Sequence, residues 1–163
     1  MIKIRPATPE DVGSILELIR ELAEYEKAPD EAVATPEDLL RDGFSAHSRF
    51  RAVIAEWRGE TAGFALFFNN YSTWRGRAGL YLEDLFVRPQ FRKKGIGKAL
   101  IEHLARVALE EGCARFEWAV LQWNTPALEF YRSLGAKPLS EWITMRVDGD
   151  ALKRLAGEIR NDG

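Results

Sequence analysis

The chain has 163 residues, 46% of them hydrophobic and 29% charged, with a formal net charge of −2; this describes one folded domain with room for a core and excludes the basic surface of a general nucleic-acid binder. The single cysteine, Cys113, excludes an internal disulfide, and with only two histidines no metal cluster is expected. No apolar run approaches the ~20 residues of a membrane span and no signal-peptide pattern opens the chain, so a cytoplasmic location is the expectation.

Ile2-Lys3-Ile4-Arg5 alternates and predicts a short strand ending at Pro6. Thr8-Pro9-Glu10-Asp11 is a helix start: Thr caps, Pro takes the first helical position and acids occupy the first turn. The helix runs through Ile15, Leu18, Ile19 and Leu22 to about Tyr25. The same four letters recur at Thr35-Pro36-Glu37-Asp38 and open a shorter helix, each cap being worth ~1 kcal/mol. Tyr25 to Glu31 between them reads as a polar connector. Ala52–Trp57 and Ala62–Phe68 read as two strands of a hairpin turned by Arg58-Gly59-Glu60, and Tyr71 to Ala78 as a loop.

In the next strand Leu80 and Leu82 are apolar at spacing two, yet apolar residues resume at Leu85 and Val87. The phase slips by one across Glu83-Asp84, which a β-bulge supplies; a simple strand end is the alternative. Pro89 closes the strand. Arg92-Lys93-Lys94-Gly95-Ile96-Gly97 then places three cations and two glycines before a helix marked by Ile96, Leu100, Leu104, Val107 and Ala108. A glycine turn feeding a helix start presents free N–H groups and the positive end of the dipole, a ready anion site; the alternative is a solvated basic turn. Two familiar nucleotide loops do not fit, because no Ser or Thr follows Lys98 and the third glycine of a dinucleotide fingerprint is missing.

Gly112 ends that helix, and Cys113 reads as a buried structural thiol. Arg115–Leu121 alternates as a strand. Asn124 or Thr125 caps a further helix with Pro126 near its start and Leu128 and Tyr131 on one face; Gly135 stops it. Pro138–Val147 is predicted as a late strand, Asp148–Ala156 as a terminal helix, and Gly157–Gly163 as a fraying end. The order β-α-α-β-β-β-α-β-α-β predicts an α/β domain with a mixed, largely antiparallel sheet flanked by helices over residues 1–163.

The loop Arg92 to Gly97 resembles the Arg/Gln-x-x-Gly-x-Gly/Ala pyrophosphate loop of the GNAT superfamily of acetyl-CoA-dependent N-acetyltransferases. Tyr81-Leu82-Glu83-Asp84 is similar, more narrowly, to the diamine (spermidine/spermine) N-acetyltransferase branch, and Asn124-x-x-Ala127-x-x-Phe130-Tyr131-x-x-x-Gly135 to the family's Asn…Phe-Tyr…Gly motif. The resemblance implies acetyl-CoA as cosubstrate, with Arg92, Lys93, Lys94, Gly95, Ile96, Gly97 and Lys98 at its diphosphate, Leu85-Phe86-Val87 beside its arm, and Asn124, Thr125, Pro126 and Ala127 along the pantetheine. It also implies a homodimer, a small amine as partner, and direct attack in a ternary complex. Tyr25, Glu26, Glu83, Asp84, Glu117, Trp118 and Glu141 stand at or near positions the branch uses for its cationic acceptor.

The chemistry is coherent. An alkylamine with a pKa near 10.4 is only about one part in a thousand free base at neutral pH, a deficit of ~4 kcal/mol. Glu83, aimed by a bulge, is the candidate to take that proton through a water. Thiolate and phenol have pKa values near 8.5 and 10, so Tyr131 is the candidate acid for the leaving group. Gln122 in place of an acid, Leu85 in place of an aromatic, and a shorter segment around Glu141-Trp142 remove charge near the acceptor end. A short diamine or a lysine-like amino acid stays open as acceptor. Two other functions fit the same fold: a non-catalytic acyl-CoA-binding domain, and an enzyme for protein amines.

Overall fold

β1 (Ile2–Pro6) forms where the alternation places it, pairing antiparallel with β2 (Arg51–Trp57). The structure is a computed structural model that describes residues 1–160; the last part of the predicted fraying end, 161–163, lies outside the described residues. A 3₁₀ turn, Pro9–Asp11, leads into α1 (Val12–Tyr25). Thr8 N–H donates to Asp11 Oδ2 at 2.7 Å. The second Thr-Pro-Glu-Asp start opens α2 (Pro36–Gly43) with a reciprocal capping box: Asp38 N–H donates to Thr35 Oγ1 at 3.2 Å and Thr35 N–H to Asp38 Oδ2 at 3.0 Å.

β3 (Glu60–Ser72) and β4 (Arg77–Val87) make a longer hairpin than expected. The predicted loop at Tyr71 to Ala78 shrinks to four residues, because Tyr71 pairs with Ala78 and Ser72 with Arg77. Tyr71 and Arg77 are exposed at this hairpin end while Ser72 is buried, a mixture that hides the strand in the sequence. α3 (Ile96–Glu110) follows, and β5 (Phe116–Trp118) pairs parallel with β4, giving the sheet order β1-β2-β3-β4-β5. The α/β reading with a mixed, largely antiparallel sheet holds.

α1 and α2 cover one face of the sheet: Ile15, Leu18 and Leu39 cluster with Ile54, Phe64, Leu66 and Phe86. α3 packs against β1, β3 and β4 and buries Ile96, Leu100 and Leu104. Arg88, at the end of β4, pins it to α1 through Glu21 at 3.0 Å and Glu17 at 3.1 Å. Gly63 is required by proximity, since a Cβ there would meet Phe86 O at 2.5 Å.

Arg5 is held by Asp11 and by Glu56, each at 2.7 Å. The Arg5 guanidinium depresses the Asp11 carboxyl to about 2 from an ordinary 3.8. A depressed carboxylate stabilises the fold above its unfolded pKa and loses that contribution as pH falls from about 4 through 2. Arg5→Ala is therefore expected to cost about 1–2 kcal/mol at pH 7 and progressively less below pH 4, read by urea titration at several pH values.

The described residues fall into two compact units, one of residues 1–121 and one that begins at Gln122. The second holds α4 (Thr125–Ser133) and α5 (Gly149–Leu155). Two strand expectations are corrected. Arg115–Leu121 contributes only Phe116–Trp118 to the sheet, and Pro138–Val147 forms no strand. The latter segment has the apolar alternation of a strand in Ile143, Met145 and Val147, but all three are exposed and no ladder includes them. A strand is made by its partner as much as by its own pattern. Among the described residues no helix is long and apolar enough to cross a membrane.

Candidate active site

The phase slip in β4 is a bulge at the expected place. Leu66 pairs with Asp84 and Phe67 with Leu82, so Glu83 is the extra residue. Because of it Phe86 and Asp84 share the α1 face with Tyr81, while Leu82, Leu85 and Val87 share the other. Pairing with β5 ends at Leu82 and Trp118, so beyond the bulge that edge of β4 has no strand partner among the described residues. Arg88 N–H donates to Ala62 O at 2.8 Å, and antiparallel pairs alternate. Leu85 and Val87 consequently present their N–H and C=O groups on the open edge.

Carboxylates gather on the α1 face. Glu26 follows directly on α1; its carboxyl is raised by burial and by Glu83. Asp84 is pushed up to about 6, first by burial, then by Glu83 and Glu26. Burial and the charges of Glu83 and Glu117 raise the Tyr81 phenol too. Glu83 itself is exposed at the centre of this group. Glu117 pairs with Tyr81 across the parallel ladder and joins the same face. Trp118, the next residue, must face the other way; its ring lies 4.9 Å from that of Phe116. The structure thus brings Glu26, Glu83, Asp84 and Glu117 together and places Trp118 apart from them. Among the described residues no group of His, Cys, Asp and Glu could hold a metal ion.

The basic loop has a defined backbone. Lys93 sits at φ 64° and Gly95 at φ 81° as the cap of α3; the former is costly for a residue with a side chain. Ala99 N–H donates to Gly95 O at 3.0 Å as the first helical bond, so the amides of Ile96, Gly97 and Lys98 precede any intrahelical acceptor. Gly97 is needed neither by φ nor by packing, since a Cβ there would approach only Val87 Cγ2, at 4.0 Å. Gly97 stands in the first turn of α3, where glycine is a poorer helix former than alanine. A bare backbone beside three unpaired helix-start amides has the features of an anion site.

The loop's cations divide in two. Arg92 donates from Nε to Val87 O at 3.0 Å, and its guanidinium lies 5.3 Å from the Tyr25 ring and 5.5 Å from that of Phe86. Lys94 Nζ sits 4.9 Å from the ring of Trp57. Lys93 and Lys98 are exposed on the loop and the first turn of α3. These ring contacts had no local signal in the sequence, because Tyr25 and Trp57 lie far away along the chain.

In the second unit Asn124 caps α4: its Oδ1 accepts from Ala127 N–H at 3.3 Å. Gly135 at φ 95° ends the helix, where Ala136 N–H donates to Tyr131 O at 3.1 Å. Helix architecture therefore accounts for the Asn and the Gly of the motif; Thr125, Pro126 and Ala127 form the first turn. The Tyr131 ring lies 5.4 Å from Phe130. Glu141 occupies an exposed turn.

Comparison with known proteins identifies the family. The chain is 43% identical over 168 residues to the thialysine N-epsilon-acetyltransferase of Sus scrofa, covering 96% of this chain and 98% of that one. It is 35% identical to the human spermidine/spermine N(1)-acetyltransferase-like protein 1 over 96% of this chain and 24% of that protein. An integron cassette protein from V. cholerae has the same fold, with a TM-score of 0.79 at 30% identity over 95% of this chain and 97% of that one. The Acetyltransferase (GNAT) family pattern matches residues 14–136, bulge and basic loop included, and the chain belongs to that family as an N-acetyltransferase.

Proposed function

We propose that this enzyme acetylates the side-chain amine of a small lysine-like amino acid, or one end of a short diamine, by direct attack in a ternary complex with acetyl-CoA. The carrying observation is the gathering of Glu26, Glu83, Asp84 and Glu117 on one face beside the open edge of β4. Four carboxylates facing one place suit a cation. Thialysine is lysine with a sulfur in its side chain, so the names of the relatives point to the same acceptor chemistry.

Acetyl-CoA supplies a thioester carbonyl for the amine to attack. Lys93, Lys98 and the amides from Gly95 to Lys98 hold its diphosphate; Arg92 and Lys94 shape the loop. Leu85-Phe86-Val87 offers its free edge to the arm, and the Leu85 N–H polarises the carbonyl. Asn124 to Ala127 lines the pantetheine. Glu83 draws the amine proton away through a water, with Asp84 alongside holding charge near neutrality. Tyr131 returns a proton to sulfur, a role resting on the motif from Asn124 to Gly135. Tyr25, Glu26, Glu117 and Glu141 receive the acceptor. The working unit on this reading is one 163-residue domain in a cytoplasmic homodimer.

The test is coenzyme A release across thialysine, lysine, ornithine, short diamines, spermidine and spermine. Turnover is expected on thialysine and short diamines and least on spermine. Tight acetyl-CoA binding with no turnover on any amine would favour a non-catalytic domain, and transfer to peptide amines alone would favour a protein acetyltransferase. A second expectation concerns pH. Asp84 takes up a proton as pH falls through about 6, removing negative charge from the acceptor face. Calorimetric affinity for protonated thialysine should fall by up to about tenfold per pH unit below that point. A flat profile between pH 7.5 and 5 would remove Asp84 from the acceptor site.

A further inference from the structure

Arg92 opens the basic loop, yet its side chain is turned away from the helix start. Nε is committed to Val87 O at 3.0 Å, on the open edge of β4. The guanidinium lies over two rings, Tyr25 at 5.3 Å and Phe86 at 5.5 Å, which are themselves 6.5 Å apart. Tyr25 is the last residue of α1, and the next residue, Glu26, belongs to the carboxylate group. One side chain thus touches the coenzyme loop by its own backbone, the coenzyme edge by Val87, and the acceptor side by Tyr25. Turning toward a phosphate would cost it the hydrogen bond and both ring contacts.

We propose that Arg92 is a positioning residue that couples the two substrates, ordering Tyr25 and Glu26 for the amine when the loop closes on the coenzyme. The inference rests on the placement of coenzyme and amine proposed above. Phosphates on the amides of residues 95–98 fix the loop backbone, and a fixed loop fixes the origin of the Arg92 side chain. The guanidinium then holds the Tyr25 ring against Phe86, which removes freedom from the end of α1. A second ligand that needs that end ordered meets less opposition, so each substrate tightens the other by the same factor. Arginine suits this position because its flat, delocalised cation can stack and donate at once, which an ammonium does less well.

Calorimetry tests this with coenzyme A and thialysine, a pair that binds without turning over. The thialysine dissociation constant is measured with and without saturating coenzyme A, and the ratio is the coupling factor. The wild-type enzyme should show a factor of about 3–10. In Arg92→Ala the factor should fall to about 1 while the variant still binds both ligands singly, and in Tyr25→Leu the factor should fall likewise, with weaker thialysine binding. Thermal melts check that the variants are folded. Weaker coenzyme A binding by Arg92→Ala with an unchanged factor would make Arg92 a phosphate ligand and overturn the proposal. A wild-type factor near 1 would overturn it too, with the placement of the ligands intact. A wild-type enzyme that binds neither ligand would overturn that placement as well.

Discussion

Tyr131→Phe is expected to lower turnover by at least an order of magnitude and leave acetyl-CoA affinity about the same. The substitution removes one hydroxyl and keeps the ring beside Phe130 at 5.4 Å, and α4 keeps its Asn124 cap and Gly135 stop. General acids contribute about 10²- to 10⁴-fold, and the loss falls on the chemical step, so kcat drops while binding stays. Steady-state kinetics with thialysine, alongside calorimetry with acetyl-CoA, separates the two. Unchanged turnover would take Tyr131 out of the acid role and leave the leaving sulfur to a water or another group.

Gly97→Asp is expected to weaken acetyl-CoA binding by about 10- to 100-fold, the penalty of one like-charge contact of 1.4–2.7 kcal/mol. The fold gives this variant two opposite signs. Inside the protein the new Cβ meets only Val87 Cγ2 at 4.0 Å, and an acid in the first turn of α3 favours the helix. The melting temperature should therefore hold or rise while affinity falls. A melting temperature that falls along with affinity would mean a damaged loop, and an unaltered dissociation constant would show that the phosphates lie elsewhere.

Much of this architecture was legible because it is written locally. Thr8 and Thr35 announce their helices through residues within one turn, and the Glu83 bulge shows as a slip in a period of two. The loop before α3 is legible for the same reason, since its glycines and cations are contiguous. What escaped depends on distant partners. The alternation from Pro138 to Val147 says which side chains could share a face, but a strand also needs a neighbour, and none is supplied there. Arg92 and Lys94 look alike in the sequence; only their rings, Tyr25, Phe86 and Trp57, separate them from Lys93 and Lys98. Trp118 is a different case. Glu117 and Trp118 are neighbours in one strand, so their opposite directions were already implied by strand geometry.

The extra residue in β4 also marks a place where this strand could lose one residue without turning over. Glu83 stands between two halves of the strand whose contacts are fixed by Phe67 with Leu82 on one side and Leu66 with Asp84 on the other. Deleting it would leave a regular ribbon with the same pairing, in which Leu85 and Val87 keep the face they share with Leu82 and Phe86 keeps the face it shares with Asp84. A single-codon deletion at this point would therefore spare the helix-packing surface of the strand, whereas drawing Glu83 into the regular ladder would turn that surface inside out beyond it.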